Sequence, residues 1–274
     1  MPDLSSTSAL VLLWAGQESY KSRLAKDYFN LLDLEPGKVL YEQCNEICPY
    51  YDEVIKNRKL SVTDLINKCL TGNNNIVQMV IAGAGLDPLG IEVTELYPMI
   101  KVFELDVENM DIKSILYSKL KGNSKTAISV IKTNLQNASE VYESLIEHGW
   151  DSSEGTLLIL EGISYYLPTA SLQNLIKVIN PMRTVFEFLK LNYEINKEHG
   201  RIAHSVFELI SDACGGLEII RYSNSKIENL FGLPVITRHS MNNLERLRTG
   251  SNKYFPSDES GWIEICLLGY EKEK

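Results

Sequence analysis

Two glycines and an aspartate have the types and spacing of a loop that binds a nucleoside. Gly83 and Gly85 directly follow the apolar run 76–82, and Asp106 stands 21 residues after Gly85 at the end of a second apolar run. Glycines let the backbone approach such a ligand closely, and an acid about 20 residues further on accepts hydrogen bonds from ribose hydroxyls. The alternative is a plain tight turn in which Asp106 caps the following helix.

The residue at position 88 distinguishes between two classes of nucleoside ligand. A dinucleotide-binding loop has a third glycine three residues after the second, where it permits close packing around the pyrophosphate. This sequence has Pro88 there. We therefore expect an adenosyl ligand without phosphates, and an NAD-linked oxidoreductase is the less favoured alternative.

A further acid, Glu161, directly follows the apolar run 156–160. Open α/β sheets bind ligands outside the carboxyl ends of their strands, so we expect Glu161 at the same sheet edge as the glycines. A solvated loop acid is the alternative. Tyr165 and Tyr166 come next in the sequence. We expect them to shape the pocket of a second substrate, although Tyr166 would suit the core equally well.

The elements that must position these residues are apolar runs that alternate with amphipathic segments. The runs predicted as strands of one parallel sheet are 76–82, 101–106, 125–131, 156–160 and 184–191. The helices predicted between or after them are 110–120, 139–148, 169–179 and 193–214. Such alternation is typical of an α/β fold with right-handed crossovers and helices on both faces of the sheet. The stretches 234–238 and 262–270 are predicted as an antiparallel pair at the sheet edge.

The first part of the chain has helical rather than strand periodicity. Helices are predicted over 19–32 and 50–70. The second stretch is predicted as one helix or as two helices that divide near Leu60, with Ser61 as the cap in the divided form. A polar loop is predicted at 71–75.

Length and composition fit one globular domain. The chain has 274 residues, of which 44% are hydrophobic and 23% are charged, and these fractions are ordinary for folded soluble proteins. We therefore expect a single domain over 1–274. In this domain 1–70 would form a helical extension and 71–274 the core.

The formal net charge is −9, from 27 basic and 36 acidic side chains, and the basic ones form no cluster. This balance argues against nucleic acid or an anionic membrane as a partner, because both need a clustered basic face. The apolar stretch 9–16 is shorter than the roughly 20 residues that span a bilayer, and 1–4 lack the positive charge of a signal peptide. We predict a cytoplasmic protein with a small-molecule substrate.

The five cysteines show no spacing typical of a disulfide framework or a metal site. Cys44 and Cys48 are four residues apart, and no nearby pair of cysteines or histidines completes a zinc site. We expect reduced, buried thiols, as in most cytoplasmic proteins, and no bound metal.

Three blocks of the sequence together resemble one known enzyme family. They are 76–87, which ends in Gly-Ala-Gly-Leu-Asp, 102–106, and 158–167, which contains Glu-Gly-Ile-Ser-Tyr-Tyr-Leu. In this order and spacing they are similar to the leucine carboxyl methyltransferase family, a branch of the class I S-adenosylmethionine-dependent methyltransferases. The resemblance covers about 5–193. It implies a Rossmann-like sheet of seven strands, an N-terminal helical lid and S-adenosyl-L-methionine as the cofactor.

The resemblance also assigns cofactor contacts, residue by residue. Arg58 stands 25 residues before Gly83, where the family has an arginine that holds the cofactor's carboxylate. A guanidinium suits a carboxylate because it donates two parallel hydrogen bonds. The other positions that carry over are Gly83 and Gly85 beside the methionine portion, Asp106 at the ribose, Asn134 and Leu135 at the adenine, and Glu161 near the amino group. Asn134 replaces the family's aspartate, and its amide would still hydrogen-bond to adenine.

The chain departs from the family directly after its glycine loop. Pro88, Leu89 and Gly90 stand where the family usually has a threonine and often an arginine, and the stretch between the second and third strands is short. The short stretch favours a small-molecule O-methyltransferase over an enzyme that methylates the C-terminal carboxylate of a protein. A relative that binds the cofactor but has lost its acceptor site is the other alternative.

The chemistry expected of the acceptor site is an in-line displacement, in which the enzyme mainly aligns the nucleophile with the methyl group. A carboxylate acceptor needs no general base, whereas a phenol or an alcohol does. None of the four histidines stands in a recognisable motif, so no base is predicted. The candidate acceptor-pocket residues are Tyr165, Tyr166, Tyr193 and Arg201, with Arg201 as the cation for a carboxylate acceptor.

Overall fold

The computed structural model of the chain describes residues 6–72, 75–120 and 128–270. The strands within these ranges are β1 Ile76–Ala82, β2 Lys101–Asp106, β3 Ile128–Lys132, β4 Gly155–Leu160, β5 Arg183–Leu189, β6 Val235–Ser240 and β7 Ile263–Leu268. The helices are α1 Ser6–Ala15, α2 Arg23–Phe29, α3 Lys38–Ile47, α4 Tyr51–Thr71, α5 Leu89–Leu96, α6 Met110–Lys119, α7 Ala138–Glu147, α8 Thr169–Ile179, α9 Lys197–Ala213, α10 Ile227–Phe231 and α11 Met241–Thr249.

All of these strands belong to one sheet, in the order β3-β2-β1-β4-β5-β7-β6. The strands β1 to β5 are parallel, and β7 pairs antiparallel with both β5 and β6. This confirms the predicted α/β sheet with an antiparallel pair at its edge. The chain order reverses between β1 and β4, and sheets of this kind bind ligands at such a reversal, outside the carboxyl ends of the strands.

Two apolar layers cover the two faces of the sheet. Met79 and Ile81 of β1 pack in the layer that contains α1, α3, α4, α5, α9 and α11. Val80 and Ala82, between and after them, pack in the layer that contains α7, α8 and α10. Alternate side chains of a strand point to opposite faces, so a strand covered on both sides is apolar throughout. This is why the strands could be predicted from continuous apolar runs.

The second N-terminal helix is undivided, so the alternative with a break and a cap at Ser61 is wrong. α4 runs without interruption for 21 residues, and Ser61 lies in its middle, fully buried. The Ser61 hydroxyl lies 2.8 Å from Nδ1 of His239 on β6, so it links the helix sideways to the sheet edge instead of capping a new helix. Because α4 is continuous, it carries its middle residues across the face of the sheet to the carboxyl ends of the strands.

Some predicted bounds differ from the observed ones. The strand predicted over 125–131 is β3, and 125–127 lie outside the described residues. Part of the loop predicted at 71–75 also lies outside them. The helix predicted over 19–32 is confined to α2, which follows a short 3₁₀ turn. The helix predicted over 169–179 coincides with α8.

The helix predicted over 193–214 is divided into two parts. A 3₁₀ turn, Asn192–Glu194, comes first, and α9 begins only at Lys197. The side chain of Asn196 accepts a hydrogen bond of 3.0 Å from the backbone N–H of His199. An N-cap of this kind marks the start of a helix, so the cap separates the turn from α9.

The sequence analysis does not predict α1, α3, α5, α10 or α11. In α1 the side chains of Leu10, Leu12 and Trp14 are all buried, so this helix lacks a polar face that would reveal its period. Its position depends on tertiary packing, because the ring of Trp14 stacks on that of Tyr51 in α4 with centroids 4.2 Å apart. Within 6–72, 75–120 and 128–270, no helix combines the length and apolarity needed to cross a membrane.

The burial of His239, which contacts Ser61, should make the stability of the fold depend on pH. Burial lowers the pKa of His239, and repulsion from Lys68 acts in the same direction. The unfolded chain therefore binds a proton below about pH 6.5 that the folded chain binds only at lower pH. The free energy of unfolding should fall as the pH drops through this range. The variant His239→Gln should lose this part of the pH dependence and about 1 kcal/mol of stability at pH 8.

Urea unfolding of the parent and the variant at pH 8 and at pH 5.5 measures both effects. The matched control is His204→Gln on the exposed side of α9, which should stay within about 0.5 kcal/mol of the parent at pH 8. A stability difference between parent and His239→Gln that is the same at both pH values would contradict the prediction.

Candidate functional site

A cavity of about 520 Å³ opens at the carboxyl ends of β1 and β4, between α1 and the end of α9. The residues predicted from the sequence that line it are Arg58, Gly83, Gly85, Asp106, Glu161, Tyr165 and Tyr166. Lys59 and Asp87 also line it, as do Ser6, Thr7 and Ser8 of α1. The cavity therefore lies at the sheet edge where the topology favours a ligand site.

The glycine loop needs both of its glycines, for different reasons. Gly83 and Gly85 have φ values of +73° and +44°, a region that favours glycine. A Cβ atom on Gly83 would also lie 2.9 Å from the side chain of Ile163, so this position has no room for a side chain. A Cβ atom on Gly85 would have the hydroxyl oxygen of Ser8 as its nearest neighbour, at 3.8 Å, so there is open space beside Gly85.

Asp106 fixes the glycine loop from the neighbouring strand. Its Oδ2 accepts a hydrogen bond of 2.9 Å from the backbone N–H of Gly85, and its Oδ1 accepts one of 2.7 Å from Val107. Because each carboxylate oxygen has two lone pairs, Asp106 can still accept hydrogen bonds from a ligand in the cavity that it lines. Asp106 therefore fixes the glycine turn, whereas the residue at the N-cap position of α6 is Asn109. The contact of Asp106 with a ribose stays a prediction.

Asp87 connects the loop to the following helix and to the N-terminal segment. Its Oδ1 accepts a hydrogen bond from the backbone N–H of Leu89, and its Oδ2 accepts one from the hydroxyl of Tyr20, both of 2.9 Å. Its Oδ2 also pairs with Nζ of Lys59. Burial opposes the charge of Asp87, but the ammonium of Lys59 outweighs it and holds the pKa of this carboxyl below its ordinary value.

Arg58 is almost fully buried between two carboxylates. Its Nε lies 3.0 Å from Oε1 of Glu161, and its Nη1 lies 3.6 Å from Oε1 of Glu187. Glu187 is inaccessible to solvent and accepts a hydrogen bond of 2.6 Å from the backbone N–H of Gly162. Burial raises the pKa of Glu187, and Arg58 acts against that rise. Arg58 thus stabilises an acid that no water reaches.

Lys59 extends this arrangement into a line of alternating charges. Its Nζ lies 2.7 Å from Oε1 of Glu161 and also pairs with Asp87. We use the name buried charge row for these five side chains, in the order Glu187, Arg58, Glu161, Lys59 and Asp87. Its two cations and three carboxylates give a formal net charge of −1. Sequence reasoning missed Glu187 and Lys59. The available signals were a charged residue inside the apolar run 184–191 and a basic pair on a helix.

The buried charge row suits a ligand that carries both a carboxylate and an ammonium group. Although Nε of Arg58 and Oε1 of Glu161 are buried, neither has a well-directed hydrogen bond within the protein. The two atoms pair with each other by charge at 3.0 Å, and Oε1 of Glu161 also lies 2.7 Å from Nζ of Lys59, so this row is paired by charge and keeps hydrogen-bonding capacity for a ligand. The methionine portion of S-adenosylmethionine has both groups, so the residues present fit this cofactor.

The comparison with known proteins agrees with this geometry. The sequence pattern of the family described as leucine carboxyl methyltransferase matches residues 27–180, which is more than half of the chain. The chain belongs to this family. Among curated proteins no match was found.

Two solved structures share the fold of this family member. A DUF574 family protein from Streptomyces avermitilis has a TM-score of 0.71 and 11% identity, with 97% of each chain covered. A protein described as a putative methyltransferase from Thermobifida fusca has a TM-score of 0.65 and 15% identity, with 92% of this chain and 95% of that chain covered. At these identities the likeness shows the class I methyltransferase fold alone.

Four residues predicted for the site do not line the cavity. Tyr193 is 76% exposed, and Arg201 is exposed on α9, whose apolar side faces the core. Asn134 is exposed and accepts a hydrogen bond from the backbone N–H of Gln136, while Leu135 is buried in the apolar layer on one face of the sheet. The adenine contacts that the family resemblance implies for Asn134 and Leu135 stay predictions.

Uncharged side chains line the cavity between α1 and the end of α9. They include the hydroxyl-bearing residues at the start of α1, Cys214, Leu217 and Tyr166. The Tyr165 and Tyr166 rings meet edge to face, with centroids 4.7 Å apart, and Tyr165 also packs on Phe207 of α9. In the described part of the chain, Arg58 and Lys59 are the cations of the lining, and the lining contains no histidine.

A second cavity of about 580 Å³ lies between α4 and α5. Lys59 and Leu89 line both cavities, whereas Lys56 and Arg248 line only this second one. In the described ranges no group of three or more histidine, cysteine, aspartate or glutamate side chains is placed to hold a metal ion.

Removal of Arg58 should destabilise the family fold even in the absence of ligand. The variant Arg58→Met leaves Glu187 buried without its cation, and loss of one partner of a buried ion pair typically costs about 3–5 kcal/mol. The matched control is Arg201→Met, whose arginine is exposed, and it should change stability by less than about 0.5 kcal/mol. Urea unfolding at pH 7 measures both variants. Equal stability of Arg58→Met and the parent would show that Glu187 does not depend on Arg58.

Proposed function

We propose that this protein is an S-adenosylmethionine-dependent O-methyltransferase that methylates a carboxylate or a hydroxyl group of a small molecule. The observation that carries the proposal is the meeting of three features in one cavity: the glycine loop, the Asp106 carboxylate and the buried charge row. Membership of the family supports methyl transfer. The acceptor class, like the expected cytoplasmic location, is part of the proposal.

Each of these features would hold a different part of the cofactor. Asp106 would accept hydrogen bonds from the ribose, Arg58 would bind the carboxylate and Glu161 the amino group. When bound, the cofactor supplies a methyl group already activated on a sulfonium. The remaining work of the chain is to align the acceptor and to exclude water, which are contributions of position rather than of acid–base chemistry. Tyr165, Tyr166 and α1 stand where the acceptor would be aligned.

The size and cover of the cavity favour a small acceptor. At about 520 Å³ it is in the ordinary range for small-molecule sites, and it must hold the cofactor as well. Leu12 of α1 packs on Leu86 of the glycine loop, so the helix closes this side of the cavity. The C-terminal carboxylate of a protein is the less favoured acceptor.

The departure from the family at Pro88 favours a second candidate, a relative that binds the cofactor without transferring a methyl group. The local structure weakens this alternative. Pro88 directly precedes α5, and Asp87 accepts the hydrogen bond of Leu89 at the start of that helix. Proline at a helix start is compatible with helix geometry. Pro88 is therefore compatible with the start of α5.

The cofactor assignment predicts that Asp106→Ala weakens binding of S-adenosylmethionine at least tenfold. A charged hydrogen-bond acceptor is typically worth about 1.5–3 kcal/mol, and the variant also loses the bond that fixes Gly85. Calorimetric titration of the folded variants measures the effect. The control is Asp111→Ala on α6, whose carboxylate is 80% exposed and pairs with Lys132. Unchanged affinity in Asp106→Ala would remove Asp106 from the site.

The acceptor assignment predicts that the methyl group is transferred to oxygen. The products formed from S-adenosylmethionine with a labelled methyl group and a library of small carboxylic acids and phenols would be separated and treated with base. A carboxylate acceptor gives a base-labile ester and a rate without a basic limb near neutral pH, because the nucleophile has no proton to lose. A phenol gives a base-stable ether and a rate that rises with pH. A methylamine as the product would contradict O-methylation.

A further inference from the structure

Lys59 is a buried cation whose role the family resemblance does not assign. It follows Arg58 directly on α4, lines the same cavity and pairs with the same oxygen of Glu161. The two cations therefore stand at one end of the cavity, where a carboxylate group of a ligand would meet them. The question is whether Lys59 merely balances the acids or also binds the ligand.

Arg58 is tied to the protein more firmly than its neighbour. It faces Glu161, Glu187 and the hydroxyl of Tyr165, which lies 3.5 Å from Nη1. The side chain of Glu187 has no exposure to solvent, so a movement of Arg58 away from it would leave a buried carboxylate without a cation. Arg58 is thus held in place for reasons that do not involve a ligand.

The acids that pair with Lys59 are less completely buried than Glu187. The side chain of Asp87 is 20% exposed and keeps its hydrogen bonds from Tyr20 and Leu89 whether or not Lys59 stays. An ammonium group has three N–H donors, and Asp87 and Glu161 engage it from two directions. It is also a compact charge on a flexible stem, so it can add a third acceptor without the fixed plane of a guanidinium.

We propose that Lys59 binds the carboxylate of the cofactor's methionine portion together with Arg58, and that Glu161 is thereby left to the amino group. The inference rests on the proposed function, because it takes S-adenosylmethionine as the ligand. It makes Lys59 a cofactor-binding residue. Glu161 lies between the two cations, so an ammonium group bound to Glu161 and a carboxylate bound to Arg58 and Lys59 would be neighbours, as they are in the ligand.

A pair of ligands that differ only in the carboxylate isolates this contact. S-adenosylhomocysteine and its decarboxylated analogue would be titrated into the parent and into Lys59→Met, by calorimetry or by displacement of labelled S-adenosylhomocysteine. In Lys59→Met the Kd of S-adenosylhomocysteine should rise about tenfold or more, as expected for the loss of a charge-assisted hydrogen bond. The Kd of the decarboxylated analogue should change less than about threefold.

The matched control is Lys56→Met, one turn earlier on the same helix. The ammonium of Lys56 pairs with Asp52 at 2.8 Å and lines only the cavity between α4 and α5. Neither Kd should change in this variant. A change of the same size and selectivity would show that Lys59→Met acts through the general charge of the helix, and would overturn the proposal.

Lys59→Met leaves three acids with one cation, so a second comparison protects the test against misfolding. The double variant Lys59→Met with Asp87→Asn removes an acid together with the cation. Its binding of the two ligands is compared with that of Asp87→Asn alone. The same selective loss of S-adenosylhomocysteine binding supports the proposal. Equal weakening of both ligands would show that Lys59 only supports its acids, and unchanged binding would show that it makes no contact. If the parent binds neither ligand, the proposed function itself fails.

Discussion

The placement of the guanidinium of Arg58 between Glu161 and Glu187 joins three distant parts of the chain. It connects the middle of α4 to the turn after β4 and to the interior of β5. None of these groups could be buried alone, because an isolated charge in a protein interior costs several kcal/mol. Each is retained only because the others are present. The position of α4 on the sheet, and with it the wall of the cavity, depends on this arrangement.

The glycine loop also packs against the turn that follows β4. Ile163 lies so close to Gly83 that a side chain on the glycine would displace it, and Gly162, one residue earlier, donates its N–H to Glu187. The turn after β4 is therefore held by the loop on one side and by the buried charge row on the other. Rigid elements on both sides keep the site ready for its ligand, which lowers the cost of ordering it on binding.

The central strands could be predicted from the sequence because they are covered on both faces and consist mostly of apolar residues, as β4 does. Gly83, Gly85, Asp106 and Glu161 could be predicted because each stands at the end of a strand, where position along the chain determines position in space. The same does not hold for Arg201. Its position on a helix was clear, but the direction of its side chain depends on which face of α9 packs inward.

The residues that sequence reasoning missed are those whose role depends on contacts across the fold. Glu187 stands in an apolar run, and only the approach of Arg58 from α4 explains a charge there. Ser61 has the residue type of a helix cap, but its hydroxyl is engaged by His239, 178 residues away. α1 has no polar face, so its period is hidden until the packing of Trp14 on Tyr51 is known. Local signals could not contain this information.

The geometry of a helix explains why two adjacent cations can serve one acid. Successive residues of an α-helix point about 100° apart, so Arg58 and Lys59 leave α4 in different directions. They nevertheless meet at Oε1 of Glu161, at 3.0 and 2.7 Å, because this oxygen lies between the two directions. Arg58 then reaches inward to Glu187 and Lys59 outward to Asp87.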